Sequence, residues 1–190
     1  MKKIQLLGFI FLSATLIFTA CKKPEINNPQ PVEQELITTV RLIVTNGSGF
    51  NKTFNYKVEH GSNGSKPSTL TIDSILLAPA SEYDVEIQVL DEAATPAKNI
   101  TEEVIAESHH HLFIIQSNPL TGAGSIEFNN GSKDDEGGAF NQKGHFKTGA
   151  AGSGTLTVTL KHEPTNKNAA TPDEAGGETD AQAMFPVKLM

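Results

Sequence analysis

Imidazoles are the side chains in this sequence best suited to chemistry. Three stand in a row, His109-His110-His111, and His162 ends the later alternating run Leu156–Leu160, with acids close by at Glu107 and Glu163. Neutral imidazole nitrogens with a carboxylate are the donor set of zinc and other transition metals. Such a site would draw on His110 or His111, on His162, and on a carboxylate such as Glu163 or Glu107. The plainer alternative is a surface strand entry, with His162 bonded to a backbone carbonyl at a strand end. A second cluster, Asn129-Asn130-Gly131-Ser132-Lys133-Asp134-Asp135-Glu136, offers oxygens to Ca²⁺. It lacks the one-three-five spacing of an EF-hand loop, and Lys133 adds a repelling charge.

Nucleophilic catalysis needs an activated Ser or Cys with a base in reach. No Gly-x-Ser-x-Gly elbow is present, and Gly47-Ser48-Gly49 lacks the spacing. Paired carboxylates occur only in polar runs such as Glu102-Glu103 and Asp134-Asp135-Glu136. No Walker loop or Gly-x-Gly-x-x-Gly follows a strand. The chain is therefore not expected to be an enzyme, and no cofactor is expected.

The single Cys has a specific context. Met1-Lys2-Lys3 is a positive n-region, Ile4 to Phe18 is apolar, and Phe18-Thr19-Ala20-Cys21 follows. Small residues before one Cys resemble a bacterial lipobox, with cleavage before Cys21 and diacylation of its thiol. An ordinary secretory peptide is the alternative, and the apolar run is short for a membrane span of about 20 residues. Each buried acyl CH₂ contributes about 0.8 kcal/mol, so more than one chain anchors stably. Residues 1–20 thus read as a lipoprotein signal peptide. Residues 21–34 read as a lipidated Cys and a tether extended by Pro24, Pro29 and Pro31.

The rest of the composition narrows the class. Lys and Arg number 15 against 22 Asp and Glu, and Arg41 is the one Arg in 190 residues. Nucleic-acid binding needs a basic, Arg-bearing face, so it is excluded. One Cys excludes a disulfide scaffold.

The elements that must position these residues are strands. Leu36, Thr38, Val40, Leu42 and Val44 share one parity, as do Phe54, Tyr56 and Val58. Leu70 and Ile72 come next, then Tyr83, Val85, Ile87 and Val89. Ile126 and Phe128, then Leu156, Val158 and Leu160, then Ala183, Phe185, Val187 and Leu189 complete the set. Period-2 alternation with one wet face marks antiparallel strands. Asn-Gly pairs at 46, 63 and 130 punctuate them. With His111–Gln116 the strands number about eight. Only Asn99–Glu107 reads as helix, with Asn99 as cap and Glu102 as its capping-box partner. The expected fold is all-β, an antiparallel Ig-like β-sandwich over residues 35–190, with an up-and-down barrel as the alternative. Pro186 suggests an edge for the last strand. Two polar connections, Gly131–Gly154 and Asn166–Asp180, flank the strand Thr155–Lys161 and are expected at its opposite ends. His162 shares the inward parity of Leu160.

The order of short motifs resembles a group of small Bacteroidota outer-membrane lipoproteins. The pieces are Glu35-Leu36-Ile37-Thr38-Thr39-Val40, Leu76-Leu77-Ala78-Pro79, Asn99-Ile100-Thr101-Glu102-Glu103 and His111-Leu112-Phe113. Gly154-Thr155-Leu156-Thr157-Val158-Thr159-Leu160-Lys161-His162-Glu163-Pro164 and Gly177-Glu178-Thr179-Asp180 complete them. Members often carry the label of a type 1 periplasmic-binding fold, which needs two α/β lobes where this chain has one short helix. Some are encoded beside TonB-dependent receptors. The resemblance transfers no catalytic residue. It implies an outer-membrane protein, and Asp73-Ser74-Ile75 resembles the triplet that such bacteria O-glycosylate.

The expected role is a non-enzymatic envelope lipoprotein that binds a partner, such as a TonB-dependent receptor, from the periplasmic face of the outer membrane. Lys22 lacks the acidic character that retains lipoproteins at the inner membrane in some bacteria. Partner sites need apolar anchors, and Phe140 and Phe146 are the two in the Gly131–Gly154 connection. The alternative role is metal capture by His109–His111 and His162.

Overall fold

Residues Thr39–Thr45 (β1) and Asn51–His60 (β2) form an antiparallel hairpin in which Thr45 faces Asn51. Asn46 closes it, its Oδ1 accepting bonds from the Ser48 and Phe50 amides at 3.0 Å each. The protein is seen in a computed structural model that describes residues 36–60 and 67–190. The segments expected as signal peptide, lipidated Cys21 and Pro-rich tether lie outside the described residues, as does the turn expected at Asn63-Gly64.

Pro67–Ile72 (β3) extends the hairpin, and Glu82–Asp91 (β5) pairs with the other side of β1. Ile75–Leu77 (β4) between them belongs to a second sheet. Lys98–Asn99 (β6) adds two residues beside β5, and Thr101–Ala106 (α1) leads through one 3₁₀ turn, Ser108–His110, into His111–Asn118 (β7). Ile126–Asn129 (β8), Lys143–Thr148 (β9), Gly152–His162 (β10), Pro172–Ala175 (α2) and Glu178–Leu189 (β11) complete the chain. One sheet runs β3-β2-β1-β5-β9-β8 with β6 beside β5; the other runs β4-β11-β10-β7.

This is an all-β sandwich, as the alternation predicts. Val40, Leu42, Val44, Val85, Ile87 and Phe146 of the first sheet share one buried core with Ile75, Phe113, Leu156, Leu160 and Phe185 of the second. Tyr56 meets Phe185 edge-on across the layers, ring centres 6.1 Å apart. Apolar side chains at every second position are removed from water on one face while Thr, Lys and Glu keep the other wet. No helix among the described residues is long and apolar enough to cross a membrane.

Five details differ from the sequence reading. First, the described residues hold eleven strands, because short strands and β9 are invisible to an apolar count. β9 alternates, with Gly144, Phe146 and Thr148 buried, but two of its three inward residues are not apolar. A Cβ on Gly144 would lie 2.4 Å from the Phe128 ring, so the small residue makes room for that aromatic. Second, Asn99 lies in β6 and Ile100 caps α1 without a side-chain bond. Thr101 sits inside instead, its hydroxyl bonded to both the amide and the carbonyl of Val89. Third, Pro186 is not on an edge strand, since β11 lies between β10 and β4. The β4 partner begins only at Val187, so Pro186 is the last residue before that parallel ladder and removes no donor from it.

Fourth, Leu70 and Ile72 of β3 are exposed, at the rim of the first sheet. Fifth, the two long connections share one end of the sandwich. β9 returns the chain along the molecule inside Gly131–Gly154, so residues 130–142 turn at the end where β10 finishes. There the Lys167 ammonium reaches the Asp134 carboxylate at 3.0 Å. The connection between β10 and β11 lies over the outer face of β7. Ala175 and Ala169 pack on Leu112 and Ile114 there, and Thr171 caps α2 by accepting from the Glu174 amide at 3.3 Å.

Candidate metal centre

Three strand ends meet at that end of the second sheet. β7 starts at His111, β10 finishes at His162, and the two residues are directly opposed in the antiparallel register. Opposed side chains on one face of such a pair stand about 4.5–5.5 Å apart at Cβ. The two imidazoles stack at 4.9 Å, nearly parallel at 10°. His162 has the inward parity of Leu160, as expected, and is half-buried; His111 is buried.

The third member comes from an irregularity. Leu160 faces Ala181 but Lys161 faces Thr179, so Asp180 is the extra residue of a β-bulge in β11. A bulge turns one side chain out of the ladder's strict alternation. Asp180 thereby points to the His pair, with Oδ2 3.7 Å from His111 Nε2. One donor atom from each of His111, His162 and Asp180 falls within 4.8 Å of the others.

Neighbouring groups hold the constellation. His111 Nδ1 lies 3.0 Å from the Glu107 carbonyl, which can only accept, so the proton sits on Nδ1 and Nε2 carries the lone pair. Burial pushes the His111 imidazole below its ordinary range, and His162 adds to this; the Glu107 carbonyl and the Asp180 and Glu107 charges pull the other way without reversing it. On the opposite face, Lys161 donates to the Gly177 carbonyl at 3.2 Å and to Thr179 Oγ1 at 3.0 Å, fixing the start of β11. Gly177 has φ +63°, and a Cβ there would lie 2.2 Å from the His162 carbonyl oxygen. Only glycine fits that close approach.

Neither a family model, nor a curated protein, nor a solved structure matches the chain. The placement of the other sequence candidates therefore rests on geometry alone. His110 is not part of the converging set. Its Nδ1 lies 2.9 Å from the Glu163 carboxylate, and its ring packs on His109. Glu163 is thereby engaged elsewhere, and Glu107 offers its carbonyl rather than its carboxylate. Asp180 replaces both, and no period-2 reading could have found it, because the bulge breaks that period.

Phe140 and Phe146 do not form a surface. Phe140 is 3% exposed and packs edge-on against Phe113; Phe146 is fully buried beside Phe128. Their connection folds back, with Phe140 N–H donating to Ser132 and Phe113 N–H donating to the Phe140 carbonyl. Both rings complete the core, which corrects their reading as partner anchors. The acidic run is also a folded turn rather than a cation cage. Asp134 Oδ1 accepts from the Gly138 and Glu136 amides at 2.6 and 3.1 Å, and Oδ2 takes Lys167. Burial tends to raise the Asp134 carboxyl, but the bonds from Lys167, Gly138 and Glu136 outweigh it and hold it below the ordinary range.

Lys167 fastens the two connections together. Besides Asp134 it donates to the carbonyls of Ser108, His109 and His111, at the 3₁₀ turn and the start of β7. Ser74 is exposed, in the turn that carries the chain from β3 to β4, while Asp73 accepts from the Asn55 amide at 2.8 Å.

Proposed function

We propose that this chain is a lipid-anchored envelope protein whose sandwich domain acts by binding and not by catalysis. Its anchor is an acylated Cys21 at the outer membrane, periplasmic side, and its partner is an envelope protein of the TonB-dependent receptor kind. The N-terminal pattern, with the sequence's one Cys at the lipobox position, supports the anchor. The resemblance to small Bacteroidota lipoproteins supports the location.

The observation that carries the binding role is the platform built by Lys167. Two polar connections that could have been separate floppy loops are held to one 3₁₀ turn and to each other by four contacts of a single ammonium. A preorganised surface loses less entropy on association. Asp135 and Glu163 project from it with side chains 67% and 65% exposed.

The test is recovery of partners from native membranes by the full-length, lipidated protein. One reproducible envelope partner is expected. Reversing both exposed charges, Asp135→Lys with Glu163→Lys, should lower its recovery about tenfold, the effect of about 1.4 kcal/mol. Unchanged recovery would move the site off this end, and no partner for the wild type would remove the reading.

A further inference from the structure

The geometry points to a binding site for one first-row divalent metal ion, best suited to Zn²⁺, formed by His111, His162 and Asp180. It does not depend on the membrane anchor and would be present in unlipidated protein.

The placement of the donors carries it. The donors come from three different strands yet converge, each offering one ligand atom within 4.8 Å of the rest. Zinc bonds of about 2.0–2.1 Å to His and Asp set tetrahedral ligand atoms about 3.3 Å apart, so a turn of the half-exposed His162 ring out of its stack closes the set. The Glu107 carbonyl holds the His111 Nδ1 proton, which leaves Nε2 as the electron-pair donor. Orientation of a ligating His through its other nitrogen is the usual support of such sites. Nε2 and Asp180 Oδ2 are then two acceptors facing each other at 3.7 Å, beyond hydrogen-bond range and suited to a cation between them.

The bulge that aims Asp180 disrupts the β10–β11 ladder at that point, and such bulges gather where a side chain must be re-aimed. Asp180 also lines a groove of about 190 Å³ between the sheets, with Thr38, Tyr56 and Val58 on its other wall. Two neutral imidazoles and one carboxylate suit zinc better than Ca²⁺ or Mg²⁺, which take oxygen ligands.

The experiment uses untagged full-length protein, stripped with a chelator and titrated with Zn²⁺ against a chromophoric competitor and with Co²⁺ in the visible range. One ion per chain is expected, with a Kd below about 10 µM and a tetrahedral Co²⁺ band. His162→Gln and Asp180→Asn, both conservative changes at the sandwich mouth, should each weaken binding at least about tenfold while circular dichroism stays unchanged. His110→Ala should leave the affinity as it was. No ion bound below about 10 µM would overturn the site, as would affinity indifferent to both His162→Gln and Asp180→Asn. Loss on His110→Ala with the other two variants unaffected would place the metal on the surface histidines and overturn it equally.

Discussion

Phe146→Ala is expected to lower the free energy of unfolding by about 3–5 kcal/mol, the range for removing a buried Phe. The ring is fully buried on β9, edge-on to Phe128 with centres 6.2 Å apart. It sits in the same core as Ile87 and Leu156, so its loss opens a cavity between the sheets. β9 is also the strand that joins β8 to the rest of its sheet. Urea unfolding should show a fall in midpoint with little change of slope. A loss below about 1 kcal/mol, the level of a surface residue, would mean that this ring is accessible and the loop reading of Gly131–Gly154 correct after all.

Lys167→Met should lower stability by about 2–4 kcal/mol, somewhat less than the loss on breaking a fully buried ion pair, because the ammonium keeps some exposure. Asp134 is left nearly enclosed, with a side chain 3% exposed and its counter-charge gone. Three carbonyls at the 3₁₀ turn and the start of β7 lose a donor as well. Lys167→Met with Asp134→Asn should be more stable than Lys167→Met alone, since the stranded charge is removed with its partner. Acid denaturation adds an independent sign. The carboxyl of Asp134 is held below its ordinary 3.8 in the folded chain. Its contribution is complete above the unfolded value and is lost as pH falls through the lower folded value. The wild type should therefore lose stability more steeply than Lys167→Met below about pH 4. Parallel acid limbs in the two proteins would show that the pair contributes nothing to folding.

Strands with apolar residues at every second place were legible from the sequence. β1, β5, β10 and β11 fall where the alternation puts them, with Val40, Ile87, Leu156 and Phe185 inward. Two of the three residues of the metal candidate, His111 and His162, were named from the sequence too, because parity alone turns His162 to the side of Leu160. What escaped was whatever breaks or dilutes the period. β9 alternates, but with Gly144 and Thr148 in two inward places, so it read as loop. Once that strand was missed, the two connections fell at opposite ends and their phenylalanines read as exposed. Asp180 escaped for a different reason. A bulge inserts one residue, and a residue outside the period has no face until the partner strand is known. Nor could local sequence have shown that Asp134 meets Lys167, two residues on separate connections that only the return of β9 brings together.

The anchor at Cys21 is the claim from which location, reach and partner class all follow. The most direct measurement is mass spectrometry of the N-terminal peptide of the mature protein, isolated from membranes of cells that make it. The peptide should begin at Cys21 and carry a diacylglycerol on its thiol, and Cys21→Ser should release the domain from the membrane fraction. A mature peptide beginning at another residue without lipid, in a protein recovered from the soluble fraction, would contradict the account.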